Sequence, residues 1–347
     1  MPPFVISIFI AHQGCPHRCI FCNQLSITGN SQAAGPTITG DQVQTEIRRQ
    51  LAWPRKDRAA EVQVAFYGGS FTGLPRSRQR ELLGAVASFL DDGLVQGIRL
   101  STRPDYIDLK AIALLQEYRV GIVELGVQSL TPAVLAICER GHTVQHVEEA
   151  IARLKSSGFK VGAQLMVGLP GETRMSTLAG ARRLIGLSPD FVRIYPALVL
   201  KSSRLAEMQA AGEFRPLSLS EAVLLTARLK EMFEEAGIRV VRMGLQPSAA
   251  LEKDLVAGPY HPAFGDLVRT RMLFKKVRAA LVMARPKEIG NVLPGLKLAI
   301  AGADQSVFRG QRSSSINRLV ALGLLKQVEI VFDSGQARNT VLVTSDN

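Results

Sequence analysis

Cys15, Cys19 and Cys22 stand in the run Gly14-Cys15-Pro16-His17-Arg18-Cys19-Ile20-Phe21-Cys22-Asn23, and Cys138 is the only other cysteine in the chain. Thiolates select soft metals and iron–sulfur clusters. At C-x3-C-x2-C spacing, three of them would hold three irons of a 4Fe–4S cube on one short loop and leave the fourth iron open to a small molecule. Zinc suits the pattern less well. A structural zinc takes four ligands, and only His12 and His17 lie near enough in sequence to complete the set. Disulfides need an even count and an oxidising compartment, and three clustered cysteines fit neither. His17 either tunes a cluster through hydrogen bonds or is simply solvated.

The loop resembles that of the radical S-adenosylmethionine superfamily, in its cysteine spacing and in Phe21, the aromatic before the last cysteine. That resemblance implies that the methionine end of the cofactor chelates the open iron. It also implies that an electron from the cluster splits the sulfonium to give a 5′-deoxyadenosyl radical. Several further runs have the composition that such a cofactor needs. In Tyr67-Gly68-Gly69-Ser70-Phe71-Thr72 the paired glycines let backbone approach a ligand closely, or make only a tight turn. In Ser101-Thr102-Arg103-Pro104-Asp105 a guanidinium is available to a carboxylate in bidentate fashion, or to a rim salt bridge. Gln128 is a candidate for ribose or substrate contacts, and Gly162–Glu172 offers an apolar wall followed by glycines.

Elements of matching length must position these runs. Short apolar stretches at 4–11, 62–67, 97–101, 121–127, 160–167 and 190–195 read as strands. Helices are expected near 40–52, 75–92, 108–118, 144–157 and 173–187, with Thr39 and Pro75 as start signals and Gly158 as a stop. This alternation predicts parallel strands with crossover helices, an α/β partial (β/α)6 TIM-like barrel whose site lies at the strand C-termini. A helix near 219–237 and a strand near 238–243 extend it. After Gly258 come a compact loop, a long helix at 266–284 with surface cations, and a small α/β unit: 296–300, 313–322, 326–332 and 340–343. We expect residues 1–245 to form the barrel and 246–347 a basic C-terminal extension.

The chain has 347 residues and a net charge of +12. Residues 258–347 carry 13 Lys and Arg against 6 Asp and Glu. A basic end suggests a polyanionic partner, RNA first among them, against the alternative of ordinary solubility charge. The first apolar run lacks a basic flank and is too short for a membrane span, so the expectation is a cytoplasmic protein without membrane contact. Within Phe308-Arg309-Gly310-Gln311-Arg312-Ser313-Ser314-Ser315-Ile316-Asn317-Arg318, basic and polar groups at a helix start suggest a small RNA- or phosphate-contacting module, or else a barrel-closing subdomain. Cys138 reads as a buried thiol. His142 either caps a helix or lines the barrel mouth, and Tyr260-His261 either handles a proton there or braces a turn.

Several motifs in order resemble the radical domain of the Elongator catalytic subunit: Phe66-Tyr67-Gly68-Gly69-Ser70-Phe71-Thr72, Thr102-Arg103-Pro104-Asp105, Glu124-Leu125-Gly126-Val127-Gln128-Ser129, Arg140-Gly141-His142-Thr143, Gly168-Leu169-Pro170-Gly171 and Ile194-Tyr195-Pro196-Ala197-Leu198-Val199. The resemblance covers about residues 4 to 245. It implies a 4Fe–4S cluster on Cys15, Cys19 and Cys22. It also implies S-adenosylmethionine contacts from Gly68, Gly69, Thr102, Arg103, Gln128 and Gln164, and Phe21, Ser70 and Met166 are further candidates for the cofactor site. A reductant protein such as flavodoxin or ferredoxin follows from the same likeness, and RNA becomes a candidate substrate. The 90 residues after 257 look too short for an acetyltransferase domain, so acetyl-coenzyme A chemistry does not carry over. The rival functions are a small-molecule enzyme akin to oxygen-independent coproporphyrinogen oxidase and a non-catalytic, cluster-bearing RNA-binding protein.

Overall fold

A computed structural model describes residues 3–10, 13–16, 19–23, 38–54, 60–284 and 295–345. Two compact units emerge: Met1–Ala222 with Leu229–Pro262, and Val223–Arg228 with Ala263–Asn347. The first begins with β1 (Phe4–Phe9), α1 (Gly40–Leu51), β2 (Val62–Tyr67), α2 (Arg76–Asp91), β3 (Gly97–Thr102), α3 (Leu109–Glu117) and β4 (Val120–Gln128). It continues through α4 (Pro132–Ile137), α5 (Val144–Ser156), β5 (Lys160–Val167), α6 (Arg174–Leu187) and β6 (Phe191–Pro196). Then follow β7 (Val199–Leu200), α7 (Arg204–Ala210), α8 (Leu219–Glu235), β8 (Arg239–Met243), α9 (Ala249–Asp254) and β9 (Leu255–Ala257). The six expected strands and the seventh near 238–243 form one sheet, β1-β2-β3-β4-β5-β6-β8, with every pairing parallel.

Local chemistry explains the helix starts. Thr39 and Gln42 close a capping box on α1, Thr143 and His146 one on α5, and Ser218 and Glu221 one on α8. Pro75 stands at the start of α2, and Asp108 caps α3 by accepting from Ala111 N at 2.6 Å. Gly158, at φ +85°, ends α5 as its left-handed stop requires.

Side chains on each strand point to opposite faces in turn. Ile6, Ile8, Val64, Phe66, Leu100, Val161, Val192 and Ile194 are buried on one face. Each contributes roughly 1.5–3 kcal/mol by leaving water. The opposite face carries Tyr67, Arg99, Glu124 and Arg193. Arg193 Nη2 on β6 donates to Tyr67 Oη on β2 at 2.9 Å, although three strands separate β2 from β6. In a flat sheet they would stand roughly 19 Å apart at the usual strand spacing. The sheet therefore curls into a partial barrel, and these side chains line its concave face.

The second unit contains α10 (Phe264–Ala284), β10 (Leu296–Ala301), α11 (Gln305–Arg309), α12 (Ser314–Ala321), β11 (Val328–Asp333) and β12 (Val341–Ser345). β10 is central, parallel to β11 and antiparallel to β12. Leu273, Val277, Leu281, Leu298, Ile300, Phe308 and Leu319 form its core.

Candidate cluster and cofactor site

The cysteine loop leaves the C-terminal end of β1 and is gripped from two sides. On one side Ile10 N donates to Tyr67 O (2.8 Å), Gln13 N to Ile10 O (3.0 Å) and Ser70 N to Gln13 O (2.9 Å). Such backbone-on-backbone contact needs glycine. A Cβ on Gly69 would lie 2.6 Å from Ile10 O, and one on Gly14, at φ +71°, would lie 2.9 Å from Leu74 N. The paired glycines after β2 thus bring their loop against the cysteine loop itself. On the other side Ile20 N donates to Cys138 O (3.4 Å) and Leu205 N to Ile20 O (2.9 Å). Ile20 packs there with Val134, Cys138, Leu169, Val199 and Leu205, and Phe21 and Met166 meet against the same cluster.

Cys19 is buried, and Cys15 and Cys22 are half-buried. Cys22 N donates to Cys19 O at 2.9 Å, closing a tight turn. Burial first, and the neighbouring Cys19 next, push the Cys15 thiol above its ordinary pKa. Among the described residues, no three His, Cys, Asp or Glu side chains surround a common point. His12 and His17 lie outside the described residues. Burial pushes the Cys138 thiol up to about 12, so it stays protonated beside the loop.

Arg140 tests whether these residues suit a cluster. It is 6% exposed. Its Nη1 donates to Cys19 Sγ at 3.0 Å and its Nη2 to Gly126 O at 2.6 Å. Its Nε has no partner, and no carboxylate pairs with it among the described residues. A buried charge without a counter-charge is costly. The anionic cube that three thiolates bind supplies such a counter-charge, so the donor set fits a 4Fe–4S cluster.

The other expected residues group as follows. Thr102 Oγ1 lies 3.1 Å from Ser70 Oγ and 2.6 Å from Thr72 Oγ1, which ties the end of β3 to the loop after β2. Gln128, at φ +65°, accepts from Gln164 Nε2 at 3.2 Å. Arg103 binds Asp105 through Nε (3.0 Å) and Nη2 (2.9 Å). Burial opposes the Asp105 carboxylate, yet these bonds hold its pKa below the usual range. His142 caps nothing, since Thr143 holds that position. It is a buried imidazole whose pKa falls to about 3, through burial first and then the Arg140 and Arg103 charges. Tyr260 donates to Glu252 Oε1 at 2.7 Å and packs on Leu198, Leu200 and Leu251.

Three features escaped the sequence reading. One is Arg140, whose run Arg140-Gly141-His142-Thr143 gives no sign of a partner 121 residues away. Another is the buried group in which Glu124 accepts from Tyr67 (2.7 Å) and from Arg99 (2.6 and 2.9 Å), while Arg193 Nε lies 2.8 Å from its second oxygen. Burial and the Glu124 charge raise the Tyr67 phenol above its ordinary range. The last is Glu172, which accepts from Gly168 N at 3.0 Å and Leu169 N at 3.4 Å and so fixes the turn after β5. Burial raises its carboxyl to about 7.

The Radical SAM superfamily model matches residues 9–182, and a Radical_SAM C-terminal domain model matches residues 189–273. An uncharacterized protein of Methanocaldococcus jannaschii is 30% identical over 226 residues, covering 63% of this chain and 68% of that protein. A tRNA uridine(34) acetyltransferase of Methanocaldococcus infernus is 28% identical over 322 residues, and the match covers 83% of this chain but 59% of the acetyltransferase. The solved archaeal Elp3 of M. infernus, with its N-terminus deleted, superposes with a TM-score of 0.62 at 24% identity, over 79% of this chain and 64% of that one.

Proposed function

Because the chain belongs to the radical S-adenosylmethionine superfamily, we propose that it modifies RNA, with transfer RNA as the substrate class. It is an enzyme of that superfamily, and its cofactors are a 4Fe–4S cluster and S-adenosylmethionine. One observation carries the RNA reading. The similarity to a tRNA uridine(34) acetyltransferase covers 83% of this chain, more than the first unit alone contains. Charge supports it, since Arg269, Lys275, Arg309, Arg312 and Arg318 of the second unit are exposed and a polyanion favours such a surface.

In this reading Cys15, Cys19 and Cys22 hold three irons. Phe21, Gly68, Gly69, Ser70, Thr102, Arg103, Gln128, Gln164 and Met166 receive the S-adenosylmethionine at the strand C-termini. When bound, cluster and cofactor together supply one-electron cleavage of a sulfonium and, with it, hydrogen-atom abstraction. The protein's part is to hold and screen the reacting atoms. The packed loops after β1, β2 and β5 fix the position of the site, and the apolar cluster around Ile20 keeps water from Cys19. The Gln128–Gln164 pair offers amide donors and acceptors on the concave face. A small reductant protein, a flavodoxin or ferredoxin, delivers the electron. No described helix is long and apolar enough to cross a membrane.

The test is direct. Anaerobically reconstituted protein is incubated with S-adenosylmethionine, dithionite and total transfer RNA, and the RNA is digested and its nucleosides weighed by mass spectrometry. A new nucleoside mass that depends on S-adenosylmethionine is expected. Unchanged nucleosides, in a reaction that still consumes S-adenosylmethionine, would sink the RNA reading and leave a small-molecule substrate.

A further inference from the structure

We propose that Arg140 sets the reduction potential of the cluster by holding a positive charge and a hydrogen bond on the sulfur of Cys19. This inference rests on the cluster being bound by the cysteine loop, and not on RNA being the substrate. Four observations support it. Arg140 Nη1 reaches Cys19 Sγ at 3.0 Å, hydrogen-bond range for sulfur. Its other terminal nitrogen is anchored on Gly126 O at 2.6 Å, where a side chain on Gly126 would crowd the same nitrogen at 3.4 Å. Arg103, whose charge also acts on Cys15, is already neutralised by Asp105, whereas Arg140 has no carboxylate partner among the described residues. Both Arg140 and Cys19 are buried, and the apolar side chains around Ile20 and Cys138 flank the loop, so water screens the charge poorly.

Reduction adds one negative charge to the cluster. A fixed cation beside a ligand sulfur stabilises the reduced form more than the oxidised form, and hydrogen bonds to sulfur act in the same direction. Arg140 therefore makes the cluster easier to reduce. It is a positioning residue, acting on the cluster through Cys19.

The test is an anaerobic redox titration of reconstituted protein, followed by electron paramagnetic resonance, with iron and sulfide content measured alongside. In Arg140→Met and Arg140→Gln we expect full iron content and a tenfold smaller ratio of reduced to oxidised cluster at fixed potential, which is about 59 mV for a one-electron couple. Arg140→Lys keeps the charge without the fork and should fall between these variants and wild type. Unchanged potentials with full iron would overturn the proposal. So would weakened S-adenosylmethionine binding at an unchanged potential, which would make Arg140 a cofactor contact. Loss of iron from both neutral variants but not from Arg140→Lys would also overturn it, by assigning Arg140 to cluster assembly. Wild-type protein that binds no cluster would instead fail the underlying assignment.

Discussion

Glu124 is the residue whose removal the fold should tolerate least. It is buried between Arg99 and Arg193 and accepts from Tyr67. Glu124→Ala would strand two guanidiniums on the concave face, and breaking a buried pair of this kind costs about 3–5 kcal/mol. Urea denaturation of the metal-free protein should show that loss, and a change below 1 kcal/mol would mean that water reaches the group freely. His142 makes a pH-dependent contribution. Its native pKa of about 3 lies below the ordinary 6.5, so between those values the unfolded chain binds the extra proton. The stabilisation is complete above about 6.5 and shrinks as pH falls, by about 1.4 kcal/mol per unit. Glu172, raised to about 7, has the opposite sign: its contribution is present below about 4.5 and lost as pH rises. Comparing wild type with His142→Gln isolates the histidine. The stability difference between the two proteins should move by about 2 kcal/mol between pH 7 and pH 5, and a constant difference would contradict a neutral buried imidazole. At this scale the grouping of three cysteines on one loop was legible because it is written in nearly adjacent residues. Arg140 and Glu124 were not, because their partners stand 121 residues away in one case and 57 and 25 residues away in the other. Only the folded sheet reveals those pairs.

Most of the seven parallel strands were legible as elements because a strand covered on both faces reads as a short apolar run bounded by Gly, Pro or charge. β7, β9, α4, α7 and α9 went unread, since strands of two or three residues and helices of about two turns carry too little period to register. The tail helix starts at Ser314, because Arg312 and Ser313 both take left-handed backbone angles just before it. Contacts between loops matter as much as the strands. Gly69→Ala would push a methyl group against Ile10 O and displace the cysteine loop, and we expect the reconstituted variant to lose most of its iron. Iron content equal to wild type would show that the loop accommodates the methyl. In the second unit, replacing exposed Arg309 and Arg312 with alanine should weaken binding to transfer RNA several-fold and flatten its salt dependence. Unaltered affinity would confine those arginines to a role in the subdomain.

On the scale of the molecule, a curled sheet presents all its strand ends on one side, and that side carries the cysteine loop, the glycine loops and the Gln128–Gln164 pair. The barrel was legible from strand–helix alternation. Its charged concave face was not, since nothing in a single strand says that β2 and β6 will meet. The chain spans 59% of the M. infernus acetyltransferase, so the radical chemistry is the activity to test first. The most direct measurement is 5′-deoxyadenosine released from S-adenosylmethionine under strong reductant, by wild type and by Cys19→Ala, with and without total transfer RNA. Release by wild type alone, increased by RNA, is the predicted result. Release by Cys19→Ala equal to wild type would contradict the cluster assignment, and wild-type release indifferent to RNA would contradict the substrate class.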